Sequence, residues 1–215
     1  MIYHTRDEMK ICEYFRSIQG EGIMIGTPTY FIRTAGCNLR CEWCDTTYAQ
    51  EGGMETSVDE IMEMVDDTMN VCITGGEPML QADMPELIGR LLEAGKRIVI
   101  ETNGSKDISW IPKDERIIIS MDVKCPSSGM SGKNLLSNLE HIGKKDQLKF
   151  VIGDQVDLNF AIRFIRENPT DTNIIFGAVG GMDLLSIAEE VVHRKLNVRV
   201  LPQLHKVIWG EKRSV

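Results

Sequence analysis

Ala35-Gly36-Cys37-Asn38-Leu39-Arg40-Cys41-Glu42-Trp43-Cys44-Asp45-Thr46 decides how the rest of this chain is read. It sets Cys37, Cys41 and Cys44 in a CxxxCxxC spacing, close enough for three thiolates to wrap one inorganic centre. The number three matters. A closed structural zinc site or a ferredoxin-type cluster takes four protein ligands. Three cysteines on a 4Fe-4S cluster leave one iron open to a ligand that the protein does not supply. A redox dithiol or half of a zinc site would account for one CxxC pair. Neither accounts for the third cysteine, and no second CxxC or Cys/His pair downstream completes a zinc site.

Both intervals, together with an aromatic residue, Trp43, directly before the third cysteine, resemble the radical S-adenosylmethionine (SAM) enzymes. In that superfamily the open iron is chelated by the amino and carboxylate groups of SAM. The resemblance implies an open, partial (β/α) barrel and an enzyme that makes a 5'-deoxyadenosyl radical.

The flanking sequence is compatible with such an enzyme. With 215 residues, 42% hydrophobic and 26% charged, the chain suits one globular domain with a sizeable core. A net charge of -8 and the lack of a long basic run argue against direct nucleic-acid binding. Residues 1–10 are polar and charged, which reads as a short N-terminal extension and not a signal peptide. No apolar run is long enough to span a bilayer. Six cysteines without an export signal point to a reducing cytoplasm and a metal role. Cys72 sits in an apolar run and reads as core; Cys12 and Cys125 read as structural.

Around the cysteines, short apolar runs alternate with helical patterns. Strands are predicted at 29–33, 71–73, 97–101, 117–121, 147–152, 173–176 and 198–201, mostly bounded by Gly, Pro, Asn or Asp. Ser57 with Glu60 predicts a capping box at a helix start. Pro85 suits the first turn of a second helix that stops at Gly95. Further helices are predicted over 158–167 and 184–195. The connections 103–116 and 122–146 look irregular, with helices missing or shortened. This alternation predicts a mainly parallel α/β sheet of about six core strands, fewer than a complete eight-fold barrel. Ligands of such sheets bind at the C-terminal ends of the strands.

The chemistry-bearing residues fall at those ends. The cysteine loop follows the first strand, and Thr74-Gly75-Gly76-Glu77-Pro78 follows the second. Adjacent glycines let a ligand lie against the main chain, and the superfamily resemblance makes this the stretch that contacts the SAM amino group. The third strand ends in Glu101-Thr102-Asn103-Gly104, either a turn or a cofactor lining. The fourth ends in Asp122-Val123-Lys124-Cys125-Pro126, where Asp122 suits ribose hydroxyls and Lys124 an anionic group. Trp43, Asp45, Gly75, Gly76, Glu77, Asp122 and Lys124 are therefore the candidate SAM contacts.

Three more stretches narrow the resemblance: Phe15-Arg16-Ser17-Ile18-Gln19-Gly20-Glu21-Gly22, Phe31-Ile32-Arg33 and Leu201-Pro202-Gln203-Leu204-His205-Lys206-Val207-Ile208-Trp209-Gly210. With Asp45-Thr46 and Pro126-Ser127-Ser128-Gly129 they resemble the 7-carboxy-7-deazaguanine synthases, in the family's order, from about Glu13 to the C-terminus. The resemblance implies a lyase. It would contract 6-carboxy-5,6,7,8-tetrahydropterin to 7-carboxy-7-deazaguanine with loss of ammonia, on the way to queuosine- or archaeosine-type nucleosides. It implies one 4Fe-4S cluster per subunit, SAM that is regenerated, Mg2+, an electron donor such as flavodoxin or ferredoxin, and a cytoplasmic homodimer. Ile18, Gln19, Gly20 and Glu21 would match the pterin edge. Arg33 would take the substrate carboxylate bidentately, with His205 as a second contact. Thr46 would give magnesium a hydroxyl oxygen, and Thr74 would line the pocket.

From the residues alone, 19–22 reads equally as a solvated turn, Arg33 as a strand-end charge, Thr46 as a helix cap and His205 as a strand cap. The chain departs from the family at Asp122-Val123-Lys124, where some relatives carry Ser-Pro-Lys. Two rivals stand beside this reading. A glycyl-radical activating enzyme shares CxxxCxxC but needs neither 19–21, Arg33 nor His205. A non-enzymatic iron–sulfur electron carrier needs no Gly-Gly-Glu-Pro.

Overall fold

The computed structural model describes residues 8–65, 67–181 and 183–215, so residues 1–7 of the predicted extension lie outside the described residues. Its strands are β1 (Met9–Ile18), β2 (Pro28–Thr34), β3 (Met54–Thr56), β4 (Asn70–Gly75), β5 (Arg97–Thr102), β6 (Ile117–Asp122), β7 (Gln147–Ile152), β8 (Asn173–Ala178) and β9 (Arg199–Val200). The helices are α1 (Val58–Met64), α2 (Met84–Glu93), α3 (Gln155–Glu167), α4 (Leu185–His193) and α5 (Leu204–Trp209). One sheet runs β3-β1-β2-β4-β5-β6-β7-β8-β9. From β2 to β9 every neighbouring pair is parallel, while β1 lies antiparallel to both β2 and β3. The predicted open α/β sheet is thus present, with seven parallel strands and an antiparallel edge.

Local signals account for most element ends. Ser57 and Glu60 close the capping box at α1, Ser57 Oγ accepting from Glu60 N at 3.3 Å and Glu60 Oε2 from Ser57 N at 2.8 Å. Pro85 occupies the first turn of α2, and Gly95 ends it with φ +73°. Helix α3 starts earlier than predicted because Asp154 caps it, accepting from Asp157 N at 2.9 Å. Connections 103–116 and 122–146 hold no α-helix; in the second, 3-10 turns at Pro126–Ser128, Ser131–Lys133 and Leu136–His141 take its place. Three elements lack a prediction: β1, β3 and α5. Lys10, Glu13, Arg16 and Ser17 interrupt β1, which has water on part of its surface.

Parity along the strands divides the sheet. Ile32, Ile73, Ile100, Ile119, Phe150 and Phe176 are buried beneath the helices, against residues such as Leu87, Leu91, Leu158 and Ile187. Each such side chain contributes about 1.5–3 kcal/mol by burial. The opposite face faces inward. Phe31, Cys72, Val99 and Ile118 form an apolar floor there, on which Phe15 stacks against Phe31 with centroids 4.8 Å apart. Cys72 and Cys125 are both buried, as core cysteines are.

The barrel's open side is bridged by the β1–β2 loop. Gln19 N donates to Thr27 O and Gly26 N to Gln19 O, both at 2.8 Å, which folds the loop on itself. Ile23 N then reaches Gln147 Oε1 on β7 at 2.7 Å, and Leu204 N at the start of α5 donates to Gly20 O at 2.8 Å.

Candidate active site

Two residues beyond the floor, the same inward parity carries polar side chains. Arg33 lies opposite Thr74, Glu101 opposite Ser120, Ser120 opposite Gln147, and Asp122 opposite Lys149. Of these, Arg33, Thr74, Glu101, Asp122 and Lys149 line a cleft of about 670 Å³ at the C-terminal ends of the parallel strands, and Ser120 and Gln147 lie beneath it. All the site residues named from the sequence border this cleft except Glu77.

The cysteine loop enters it from β2. Gly36 N donates to Ala49 O at 2.8 Å, Cys37 N to Gln50 O at 3.3 Å and Glu42 N to Ser128 O at 3.1 Å. Trp43 Nε1 donates to Ser127 Oγ at 3.0 Å, and Ser127 Oγ donates to the buried Asp157 on α3. The loop is thereby fastened at both ends. Burial pushes the Cys41 thiol up; Lys124 counters it, and Cys44, Asp122 and Cys37 add repulsion. Leu39 N donates to Cys37 Sγ at 3.4 Å. Among the described residues no three His, Cys, Asp or Glu groups enclose a single metal ion. The three cleft-lining thiols are the soft donors an iron–sulfur cluster takes, and they fit it.

Gly75 and Gly76 form the turn beside this loop. A side chain on Gly75, at φ +139°, would start 2.2 Å from Thr34 O, and one on Gly76 would start 2.1 Å from Gly36 O. The two loops touch main chain to main chain, which requires glycine. Glu77 is expected to offer its backbone to SAM, and its side chain turns away from the cleft. Its carboxylate is fully buried under the turn and accepts from Thr102 Oγ1 (2.8 Å), Asn103 N (2.7 Å) and Met79 N (3.0 Å). Burial raises its carboxyl despite those bonds. It holds the Gly-Gly turn to the end of β5.

Opposite the cysteines, four charged groups alternate. Glu21 Oε2 meets Lys149 Nζ at 2.5 Å, Lys149 Nζ lies 3.5 Å from Asp122 Oδ1, and Asp122 Oδ2 meets Lys124 Nζ at 2.7 Å. Gln203 Nε2 donates to Glu21 Oε1 at 2.6 Å. Burial alone would raise the Glu21 and Asp122 carboxyls; the lysines outweigh it and hold both below the usual range. Burial would lower the Lys149 ammonium, and Asp122 and Glu21 hold it well above its usual value instead. Lys124 also lies 5.9 Å from the Trp43 ring centroid, which brings the fourth strand's end to the cysteine loop.

The remaining predicted residues surround this chain. Thr74 Oγ1 and Gln19 Nε2 donate to the two oxygens of Glu101 at 2.8 and 3.3 Å. His205 packs on Gly20 so closely that a Cβ there would lie 2.1 Å from Nδ1. Thr46 Oγ1 donates to Asp45 Oδ1 at 2.9 Å, an oxygen pair that suits a hard cation. Arg33 Nε donates to Glu13 Oε1 at 2.6 Å. Lys149 lines the cleft without having been named from the sequence, and Glu101, from the stretch read as a turn or a cofactor lining, and Gln203, from the C-terminal stretch, line it too. One signal does mark Lys149: in the apolar β7 run it shares the parity of Gln147.

Known proteins resemble this chain in sequence and in fold. The radical SAM superfamily model matches residues 31–122. A 7-carboxy-7-deazaguanine synthase of Thermoplasma acidophilum is 43% identical over 205 residues, 94% of this chain and 98% of its own length. That of Methanospirillum hungatei is 47% identical over 204 residues, 93% of this chain and 85% of its own. The crystal structure of QueE from Escherichia coli has a similar fold, with a TM-score of 0.75 at 24% identity over 92% of this chain and 95% of that one.

Proposed function

The chain belongs to the 7-carboxy-7-deazaguanine synthases of the radical SAM superfamily, and on that premise we propose how its cleft performs a ring contraction. The protein is a lyase of 7-deazapurine biosynthesis, and its substrate in this reading is 6-carboxy-5,6,7,8-tetrahydropterin, which loses ammonia to give 7-carboxy-7-deazaguanine. The observation that carries the reading is the shared cleft: three cysteines, the Gly-Gly turn, Arg33 and residues 18–21 all border one space of about 670 Å³.

Cys37, Cys41 and Cys44 would hold the 4Fe-4S cluster, with Gly75, Gly76, Trp43, Asp45, Asp122 and Lys124 around SAM. When bound, the cluster and SAM would supply reversible hydrogen-atom abstraction from the substrate. The protein's part is to orient and enclose. Arg33 presents its guanidinium to the substrate carboxylate, and His205 closes on the same group. Glu21 keeps lone pairs free beyond those used by Lys149 and Gln203 and faces the donor edge of the pterin, beside Gln19, Gly20 and Ile18. Thr74 lines the wall between them. Thr46 would offer its hydroxyl oxygen to Mg2+, a hard cation that would supply positive charge beside the substrate, with Asp45 orienting that hydroxyl.

The chain works as one domain in this reading, as a cytoplasmic homodimer that takes its electron from a carrier such as flavodoxin or ferredoxin. Among the described residues no helix is long and apolar enough to cross a membrane. The test is turnover by anaerobically reconstituted, reduced protein with SAM, magnesium and 6-carboxytetrahydropterin, read by mass. Formation of 7-carboxy-7-deazaguanine without stoichiometric loss of SAM is expected. Cleavage of SAM to 5'-deoxyadenosine with no ring contraction would reject the substrate.

A further inference from the structure

Glu13, on the antiparallel strand β1, takes no part in the roles above, yet its carboxylate gathers three elements distant in sequence. Oε1 accepts from Arg33 Nε at 2.6 Å and from the Tyr48 hydroxyl at 3.0 Å. Oε2 accepts from the Ser214 hydroxyl at 2.7 Å. Next to Ser214, the Arg213 guanidinium lies 4.0 Å from the Tyr48 ring centroid, a cation–π contact that seats the same segment. Residues 210–215 border the cleft, as do Arg33 and Tyr48.

The geometry gives Glu13 leverage over Arg33. The side chains of Glu13 and Arg33 are each only 17% exposed, so their pairing is little screened. Arg33 also lies over the Phe15 ring, 5.7 Å from its centroid. With Nε engaged by Glu13 and one face on Phe15, the guanidinium has a defined plane. Among the described residues its two terminal nitrogens have no hydrogen-bond partner. Those nitrogens form the edge that takes a carboxylate with two parallel bonds. Burial raises the Glu13 carboxyl, while Ser214, Arg33 and Tyr48 outweigh it and keep it below the usual range. It is therefore an anion at neutral pH.

We propose that Glu13 is a positioning residue with two tasks: it turns Arg33 so that the free edge of the guanidinium faces the substrate carboxylate, and through Ser214 it ties residues 210–215 across the same end of the cleft. The first task rests on the reading of Arg33 as the carboxylate's partner; the second does not.

The experiment compares Glu13→Ala, Glu13→Gln, Ser214→Ala and Arg33→Ala in the reconstituted enzyme, with cluster absorbance as the check on folding. Glu13→Ala is expected to raise KM for 6-carboxytetrahydropterin about tenfold or more while kcat falls by less, the size of one lost charge-assisted hydrogen bond. Competitive inhibition by tetrahydropterin without the carboxylate should change less than about twofold, since Arg33 has nothing to read on it. Glu13→Gln, which keeps an acceptor oxygen without the charge, should fall between. Limited trypsin digestion after Lys212 and Arg213, followed by intact mass, should run faster in Glu13→Ala and in Ser214→Ala.

If Arg33→Ala raises KM and Glu13→Ala does not, the positioning of Arg33 by Glu13 is overturned while the reading of Arg33 stands. If Arg33→Ala leaves KM unchanged, the reading of Arg33 falls and the first task falls with it. An unchanged tryptic rate in Glu13→Ala overturns the tie to the C-terminal segment.

Discussion

Two residues along four neighbouring strands separate a floor of Phe31, Cys72, Val99 and Ile118 from an upper layer of Arg33, Thr74, Glu101 and Ser120. Both layers face inward, on the same backbone and in the same register. The floor is dry and packed against Phe15, Ile23 and Met24. The upper layer is bonded side chain to side chain, through Thr74 to Glu101, Gln19 to Glu101 and Gln147 to Ser120. The contrast teaches how a small barrel makes a polar site precise. An apolar floor lowers the local dielectric, so charges and hydrogen bonds above it are strong when paired and costly when not. Changes in the upper layer should therefore alter chemistry and pH behaviour. Changes in the floor should alter stability and leave the chemistry alone.

The most severe break removes the inorganic centre that the three cysteines would hold. Cys37→Ala should eliminate the cluster and all SAM cleavage, read as iron content and 5'-deoxyadenosine. Retained cleavage would separate Cys37 from the centre and remove the reason for the polar layer.

Next in size is the charge chain. Lys149→Met leaves the half-buried Glu21 and Asp122 carboxylates beside one lysine fewer, which should cost about 1.5–3 kcal/mol in urea unfolding at neutral pH. The two carboxyls are held below their usual range in the folded protein. Their stabilisation is thus in place above the unfolded carboxyl pKa of about 4 and is lost as the pH falls through the lower folded values. The ammonium is held well above its usual value. Its share is in place below about pH 10.4 and is lost as the pH rises through the folded value. Without Lys149 both carboxyls rise, and the acid limb of the stability curve should move to higher pH. An unmoved acid limb would mean that the chain of charges is already screened by water.

Much of this contrast is legible locally. CxxxCxxC, the Gly-Gly turn and the short apolar strands each announce themselves within a few residues, because ligand spacing, backbone freedom and burial are local properties. Lys149 does not. Within Gln147-Leu148-Lys149-Phe150-Val151-Ile152 it looks like a stray cation. Its meaning comes from the register that sets it opposite Asp122 and from the β1–β2 loop that brings Glu21 to it. Strand β1 is hidden for a related reason: β3 covers it only over Met9–Ile11, and a strand with water on part of its surface carries no continuous apolar run. The bracing role of the Glu77 carboxylate is hidden as well, because its bonds run to Thr102 and Asn103, far along the chain, and only the fold brings them beneath the Gly-Gly turn.

A narrower break lies within the upper layer. Arg33→Ala should leave the cluster spectrum intact and lower kcat/KM for 6-carboxytetrahydropterin about 100-fold, close to 2.7 kcal/mol. Turnover within about threefold of wild type would make the Arg33–Glu13 pair a structural bridge between β1 and β2 and would extend the floor's character upward.

The smallest change sharpens the comparison most, because it tests the floor alone. Ile118 is buried between Val99 and the β7 side of the sheet, and Ile118→Val removes one methyl group without a new polar atom. The loss should be about 0.5–1.5 kcal/mol in chemical unfolding, the transfer term for a methyl plus a small cavity. The neighbouring Ser120, two residues along the same strand, bonds to Gln147 at 2.6 Å, and Gln147 in turn holds Ile23 N of the loop that carries Glu21. If floor and upper layer are independent, KM and kcat stay at wild-type values, because that hydrogen-bonded path is untouched. A shift in KM without a matching loss of stability would mean that packing in the floor sets the loop that holds Glu21, and the two layers would then have to be treated as one unit.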